Sequence, residues 1–350
     1  MRPITSPVVI GMLCLGLMGS GARAERVVGV YNIPLRAAVS NKLTFVGLPV
    51  GKLPVGSGMI DTCTANTISC TGVAWCPGGF ASGGSAAGET GISTYYVEIV
   101  SGTHEGRHFY ITSNTSNSLT VAGALPASGL AGAHIEMIPA MRIRDIFGEP
   151  GIGDARIRGG TSSSDADYVR LWDRGTETWS APIFYLNDGP NPPYTWVQAG
   201  YAVPDLIIDR DEGMLVTTIG AAGRTDFSLP LVGLVVDHDR QIVLAAGYSV
   251  LGGGNGVDVA IGDAGLDPPT LLGGSGSSTA DAIYAWNSAV ECWMPPAFYS
   301  NAGRNPAYAW VRAGIVDDTF ILGADGAHLF HLNASTHGHI WVRPNPLVGE

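Results

Sequence analysis

Residues 159–200 align without a gap on residues 273–314, at a constant offset of 114, and 21 of the 42 positions are identical. Trp172, Trp179 and Trp196 fall on Trp286, Trp293 and Trp310, while Tyr185 and Tyr194 fall on Tyr299 and Tyr308. Six of the eight tryptophans therefore belong to the repeat. Identity of this density at a fixed offset marks a duplicated structural unit. The chain is expected to fold as two related units. A weaker match continues upstream, with Gly153, Asp154 and Ala155 on Gly262, Asp263 and Ala264, and residues 28–46 on residues 232–244. It assigns 25–54 plus 141–230 to the first unit and 231–350 to the second. Residues 55–140 are then an inserted β subdomain that opens with a cysteine loop.

The local patterns are those of strands. Short runs rich in Val, Ile, Thr, Tyr, Phe and Trp alternate with Gly, Asn, Asp and Pro clusters, as strands and their turns require. Residues 94–99, 108–113, 118–121, 241–246 and 318–322 are examples; a short helix fits residues 143–147, and 237–240 read as a hairpin turn. No long amphipathic helix is visible. The expected class is all-β, with sandwich- or barrel-like units. Composition agrees: 14% charged residues and 49 glycines are incompatible with a long coiled coil, which needs dense Glu, Lys and Arg. A net charge of −11, with Lys42 and Lys52 the only lysines, argues against nucleic acid as a partner.

Residues 1–24 read as a secretory signal peptide. Arg2 precedes an apolar run too short to span a bilayer, and Ala22-Arg23-Ala24 is a small-x-small cleavage pattern. The expected product is exported, periplasmic or extracellular, with no transmembrane segment in the mature chain. That compartment permits disulfides, and Cys63, Cys70, Cys76 and Cys292 are the candidates. One local bridge is expected among the first three.

Several segments resemble a family of secreted, β-rich bacterial proteins with no established activity. They are residues 97–102 with Glu105, Gly106 and Arg107; residues 110–112, 114–115 and 119–121; and Ala166-Asp167, residues 171–173, Phe184-Tyr185 and Trp196. The resemblance implies a β fold and export, and supplies no catalytic residues.

Four patterns bear on chemistry. His104-Glu105-Gly106-Arg107-His108 matches H-E-x-x-H, which binds zinc when a helix puts both histidines on one face. Here Gly106 interrupts it and a strand-like run follows, so a hairpin tip is the expected structure. His331, His337 and His339 would share a β-face if residues 333–336 form a hairpin turn, and three imidazoles there would suit a transition metal. Residues 253–259 fit one copy of a calcium-binding nonapeptide, which needs tandem copies to complete its ion shells. Asp209-Arg210-Asp211-Glu212-Gly213 is a partial calcium loop without the later Glu. No cofactor is assigned on these grounds; a transition metal or calcium is the lesser alternative. Matched aromatics suggest a carbohydrate or surface polymer as partner, with Tyr194, Trp196, Tyr308 and Trp310 as ligand-binding candidates. Glu177 and Glu291 also match across the repeat, but nothing pairs them as glycosidase carboxylates. The reading is an exported, non-enzymatic binding or structural protein of the cell surface or extracellular space. The alternative is a metal-dependent hydrolase using a histidine cluster.

Overall fold

A computed structural model describes residues 27–37, 41–81, 94–149, 156–187, 194–220, 224–236, 238–252, 256–268, 270–301, 308–324, 326–333 and 339–344. The expected signal peptide lies outside them. The protein is all-β, with antiparallel ladders throughout and one short α-helix, Ile143–Phe147, among the described residues. No helix among them is long and apolar enough to cross a membrane.

Two seven-stranded sheets share one strand order. The first runs Tyr201–Ala202, Thr195–Gln198, Ile183–Leu186, Tyr168–Asp173, Met214–Thr218, Lys42–Val46, with Thr178–Trp179 folded back on Tyr168–Asp173. The second runs Ile315–Val316, Ala309–Arg312, Ala297–Ser300, Ala282–Asn287, Ala327–Leu332, Gly247–Gly252, with Cys292–Trp293 folded back on Ala282–Asn287. Register corresponds as well as order: Tyr168 faces Thr217 in the first sheet, and Ala282 faces His331 in the second, each shifted by 114. Three non-glycine residues with positive φ recur at the same offset, namely Glu177 and Glu291, Tyr194 and Tyr308, Ala199 and Ala313.

Upstream, the ladders relate different residues from those the sequence match pairs. Leu43 lies opposite Thr217, and Tyr248 opposite His331, so residues 43–46 correspond to 248–251 rather than to 242–244. The strand Phe227–Leu234 crosses the boundary expected at 230/231 and pairs along its whole length with Val28–Leu35. The corresponding ladder in the second half joins Arg240–Leu244 to His339–Arg343. A third sheet is built from residues 56–139 alone, in the order Gly56–Met59, His134–Pro139, Tyr95–Ile99, His108–Asn114, Ser118–Val121, Thr67–Ser69, Thr62–Cys63. It has its own core around Ile68, Tyr95, Val97, Ile99, Leu119 and Ile135.

The repeat tryptophans divide into two sets. Trp196 and Trp310 are buried in the cores of their own halves, where the indole N–H donates to Gly148 O and to Asp267 Oδ1, each at 2.9 Å. The other four meet between the halves. Trp172 stacks edge-on against Trp179, and Trp286 against Trp293; Phe45 contacts Trp179, Trp286 and Trp293. Polar contacts cross in reciprocal fashion. Trp172 Nε1 donates to Tyr248 O at 3.0 Å and Trp286 Nε1 to Leu43 O at 3.2 Å. Tyr248 N–H donates to Glu177 at 3.0 Å and Leu43 N–H to Glu291 at 3.3 Å. Glu177 and Glu291 thus cap the opposite half's edge strand, which accounts for their match.

The expected disulfide is not formed: Cys63, Cys70, Cys76 and Cys292 are free thiols. Cys70 faces the core of the third sheet and Cys76 faces solvent, so the loop holds them in opposite environments. Burial first, then the charge of Asp61, pushes the Cys70 thiol up to about 11.

Phe45 fills the junction between four indoles' worth of surface, so its loss leaves a cavity bordered by both halves. Phe45→Ala should lower the unfolding free energy by about 3–5 kcal/mol, measured by denaturant titration. Glu291→Ala should cost only about 1 kcal/mol, because its bond lies near solvent.

Candidate functional site

A cleft of about 480 Å³ opens where all three sheets meet. The third sheet contributes Arg107, His108 and Phe109, the first Trp172–Gly175 and Asp209, Asp211 and Glu212, and the second-half ladder Gln241, Ile242 and Val243. The turn 102–107 sets the first group. Gly106 has φ +83°, and a Cβ there would fall 2.1 Å from Asp239 O, so only glycine lets the turn lie against the second half. Gln241 Nε2 donates to Thr103 O at 3.0 Å across the same seam.

Behind the cleft lies a buried ionic network. Glu98, from the third sheet, receives Arg210 Nη1 at 2.5 Å and faces His238 Nε2 at 2.8 Å. Arg240 contacts Asp211 Oδ1, which also has Arg210 Nε at 3.7 Å. Glu98, Arg210, Asp211 and Arg240 are all nearly inaccessible to solvent. Burial opposes the charge of Glu98, yet Arg210 and His238 hold its carboxyl far below the usual carboxylate range. The same pairing raises Arg210 above its ordinary value against the effect of burial. Isolated buried charges would cost many kcal/mol, so each requires its partners.

On the cleft side, His108 sits between two carboxylates. Its Nε2 is 3.6 Å from Asp209 Oδ2, and its Nδ1 is 3.6 Å from Asp211 Oδ2. Tyr110 O–H donates to Asp209 Oδ2 at 2.9 Å, and Asp211 N–H to Asp209 Oδ1 at 2.9 Å. Burial disfavours the Asp209 charge, but His108 and the Tyr110 hydroxyl outweigh it and hold the carboxyl low. Glu212 is displaced the other way: burial, then the Asp209 charge, pushes it up to about 7, with Arg174 opposing. Two carboxylates three residues apart are therefore held in different protonation regimes, a pattern associated with functional clefts.

The residues singled out in the sequence are distributed as follows. His104 and His108 do not converge: His104 Nε2 contacts Ser128 O at 2.9 Å, Gly102 and Gly106 turn the chain, and His108 opens a strand. A helix is what would align them, and Gly106 prevents one. His331 stacks on Tyr248 within the second sheet, with ring centroids 4.3 Å apart. His339 lies in a different ladder, opposite Leu244, and His337 falls outside the described residues. The hairpin pairing expected to bring His331 to His339 is absent from the described ladders, because their strands pair with different partners. Trp196 and Trp310 are buried, which removes them as stacking faces; Tyr194 and Tyr308 are exposed, at 44% and 73%. Part of the nonapeptide at 253–259 lies outside the described residues, and its Asp258 accepts the Ala324 N–H at 2.9 Å. Residues 104–108 and 209–213, unrelated in the sequence, are the two patterns that the fold joins. Glu98, Arg240 and Trp172 complete the site without any local signal.

No known family, no curated protein and no solved structure matches the chain.

The displaced Glu212 has a stability consequence. Its carboxyl is raised from 4.5 to about 7 in the fold, so folding takes up a proton between those values and stability falls as pH rises through that window. Below pH 4.5 both states are protonated and no penalty exists. Glu212→Gln should gain on the wild type by up to roughly 3 kcal/mol above pH 7, with no gain at pH 4, as read from melting curves across pH.

Proposed function

We propose that the protein is an exported, non-enzymatic binding protein of the cell surface or extracellular space, and that its ligand, a carbohydrate or related surface polymer, occupies the cleft between the three sheets. The observation that carries this reading is the composition of the cleft wall. Trp172 and Phe109 offer apolar ring surface, while Arg107, Arg174, Asp173 and Asp209 ring it with hydrogen-bonding groups. Aromatic surface flanked by a few oriented polar groups suits polyhydroxylated ligands. Arg107 is itself braced over the Phe109 ring, 5.4 Å from its centroid, which limits the entropy lost on binding. The signal-peptide pattern of residues 1–24 supports export.

The metal-dependent hydrolase remains the second reading. The observation in its favour is His108 set between Asp209 and Asp211.

Binding of neutral and acidic oligosaccharides, screened on arrays and then measured calorimetrically, tests the proposal. Phe109→Ala and Arg174→Ala should each weaken a captured glycan by about tenfold or more, a loss near 1.4 kcal/mol. Tyr308→Ala should leave it unchanged. Loss confined to Tyr194 and Tyr308 variants would move the ligand to those exposed loops and sink the cleft assignment.

A further inference from the structure

The cleft floor has a second property that glycan binding does not require. One donor atom from each of His108, Asp209 and Asp211 lies within 4.8 Å of the others. Each aspartate has its Oδ1 engaged and its Oδ2 turned toward the imidazole, the Oδ2 of Asp209 also accepting the Tyr110 O–H. Asp209 Oδ1 accepts the Asp211 N–H, and Asp211 Oδ1 is held by Arg240 with Arg210 behind it. Both separations of 3.6 Å between ring nitrogens and Oδ2 atoms exceed a hydrogen bond. That between Nε2 and Asp209 Oδ2 is close to the spacing of about 3.4 Å between donors that share a tetrahedral zinc ion at about 2.1 Å.

From this we infer that His108 Nε2 and Asp209 bind one divalent metal ion of the zinc or manganese class, with Asp211 orienting the imidazole through Nδ1. The donor set selects the class. Carboxylates suit calcium, magnesium or manganese, whereas an imidazole admits zinc or nickel, and thiolates that would favour copper(I) are missing from the set. An ion takes one ring nitrogen, and the open side is that of Asp209: its side chain is 31% accessible against 8% for Asp211. Entry is therefore from the cleft, with Nε2 and Asp209 met first. Asp211, fixed by the arginines, faces Nδ1, the position from which a carboxylate orients a metal-bound histidine. Tyr110 O–H fixes the Asp209 carboxylate in the same manner. The inference does not rest on the glycan reading, because the donors are a different subset of the cleft.

Calorimetric titration of the full chain, purified without chelator and then stripped, with Zn²⁺ and separately with Mn²⁺ tests the site. One ion per chain is expected. His108→Ala and Asp209→Asn should each weaken binding by about tenfold or more; Tyr308→Ala, outside the cleft lining, should not. Asp209→Asn is isosteric and keeps one of the two acceptor positions, for the Asp211 N–H or for the Tyr110 hydroxyl, so it guards against misfolding of the histidine variant. Mn²⁺ electron paramagnetic resonance on the same samples reports ligand loss directly. Absence of stoichiometric binding by the wild type overturns the assignment. So does binding that persists unchanged in both folded variants, which would place the ion elsewhere, His331 and His339 being the next positions to replace.

Discussion

Arg240 is the point on which the three sheets depend. It is fully buried, it lies on the second-half ladder directly opposite another buried arginine, Arg343, and it contacts Asp211 of the first half. Like charges facing each other across a ladder are destabilising, so the position demands compensation. For Arg240 much of it comes from outside the second half, through Asp211 and through the Arg210–Glu98 pair that reaches the third sheet, while Asp258 offsets Arg343. In the first half, the ladder that corresponds in register has Ile33 opposite Leu229, both buried in an apolar core. A pair of aliphatic residues would stabilise the second half more cheaply. What the arginine adds is dependence: the second half cannot bury it without the other two sheets in place. Charge, rather than apolar area, therefore fixes the relative placement at this corner.

The opposite side of the junction between the halves is held by exchange. Each half sends a Trp–Glu hairpin onto the edge strand of the other, and the positive φ of Glu177 and Glu291 turns each carboxylate toward a backbone N–H that would otherwise lie on an open sheet edge. Covering edges in this way protects them from pairing with other chains. The same arrangement explains why Trp172 can serve two purposes. Its N–H is committed to Tyr248 O in the other half, while part of its ring borders the cleft. A side chain locked for structural reasons is a rigid binding surface.

Much of the architecture was legible in the sequence because it rests on short-range pattern. Strand alternation placed Tyr95–Ile99, His108–Asn114 and Ser118–Val121, and the run Ile143–Phe147 is the helix that its composition suggested. The identity between 159–200 and 273–314 is mirrored by matched ladder registers. Legibility ended where long-range pairing decides. Weak similarity tied 232–234 to 28–30, but Phe227–Leu234 is the partner of Val28–Leu35. Cysteine spacing suggested a bridge, yet burial of Cys70 separates it from its neighbours. The site was the least legible. Its donors sit about 100 residues apart in the chain; one string matched H-E-x-x-H in a context without a helix, and the other looked like an incomplete calcium loop. Only the turn at Gly106, packed against Asp239, brings them into one place.

The asymmetry of the two copies separates scaffold from site. Positions that match across the offset of 114 do structural work: Trp196 and Trp310 in the cores, and Glu177 and Glu291 on the edges. At the cleft the copies diverge. Asp209, Arg210 and Glu212 correspond to Gly323, Ala324 and Gly326, and Asp173 and Arg174 to Asn287 and Ser288, while Asp211 is matched by Asp325. Apart from that aspartate, the charged floor of the first copy is met by small or neutral residues in the second. A purely structural role for those charges would need only partners to cancel them, and Arg210 and Asp211 do cancel in the network behind. Asp209 and Glu212 are held differently: His108 and the Tyr110 hydroxyl hold Asp209 below its normal range, while burial and the Asp209 charge push Glu212 above it, at the wall of an open cleft. The upward displacement of Glu212 lowers stability as pH rises, and it occurs in the one copy that the third sheet overlies. That coincidence is what a site assembled from three sheets produces, because the third sheet supplies His108 to the single half able to use it.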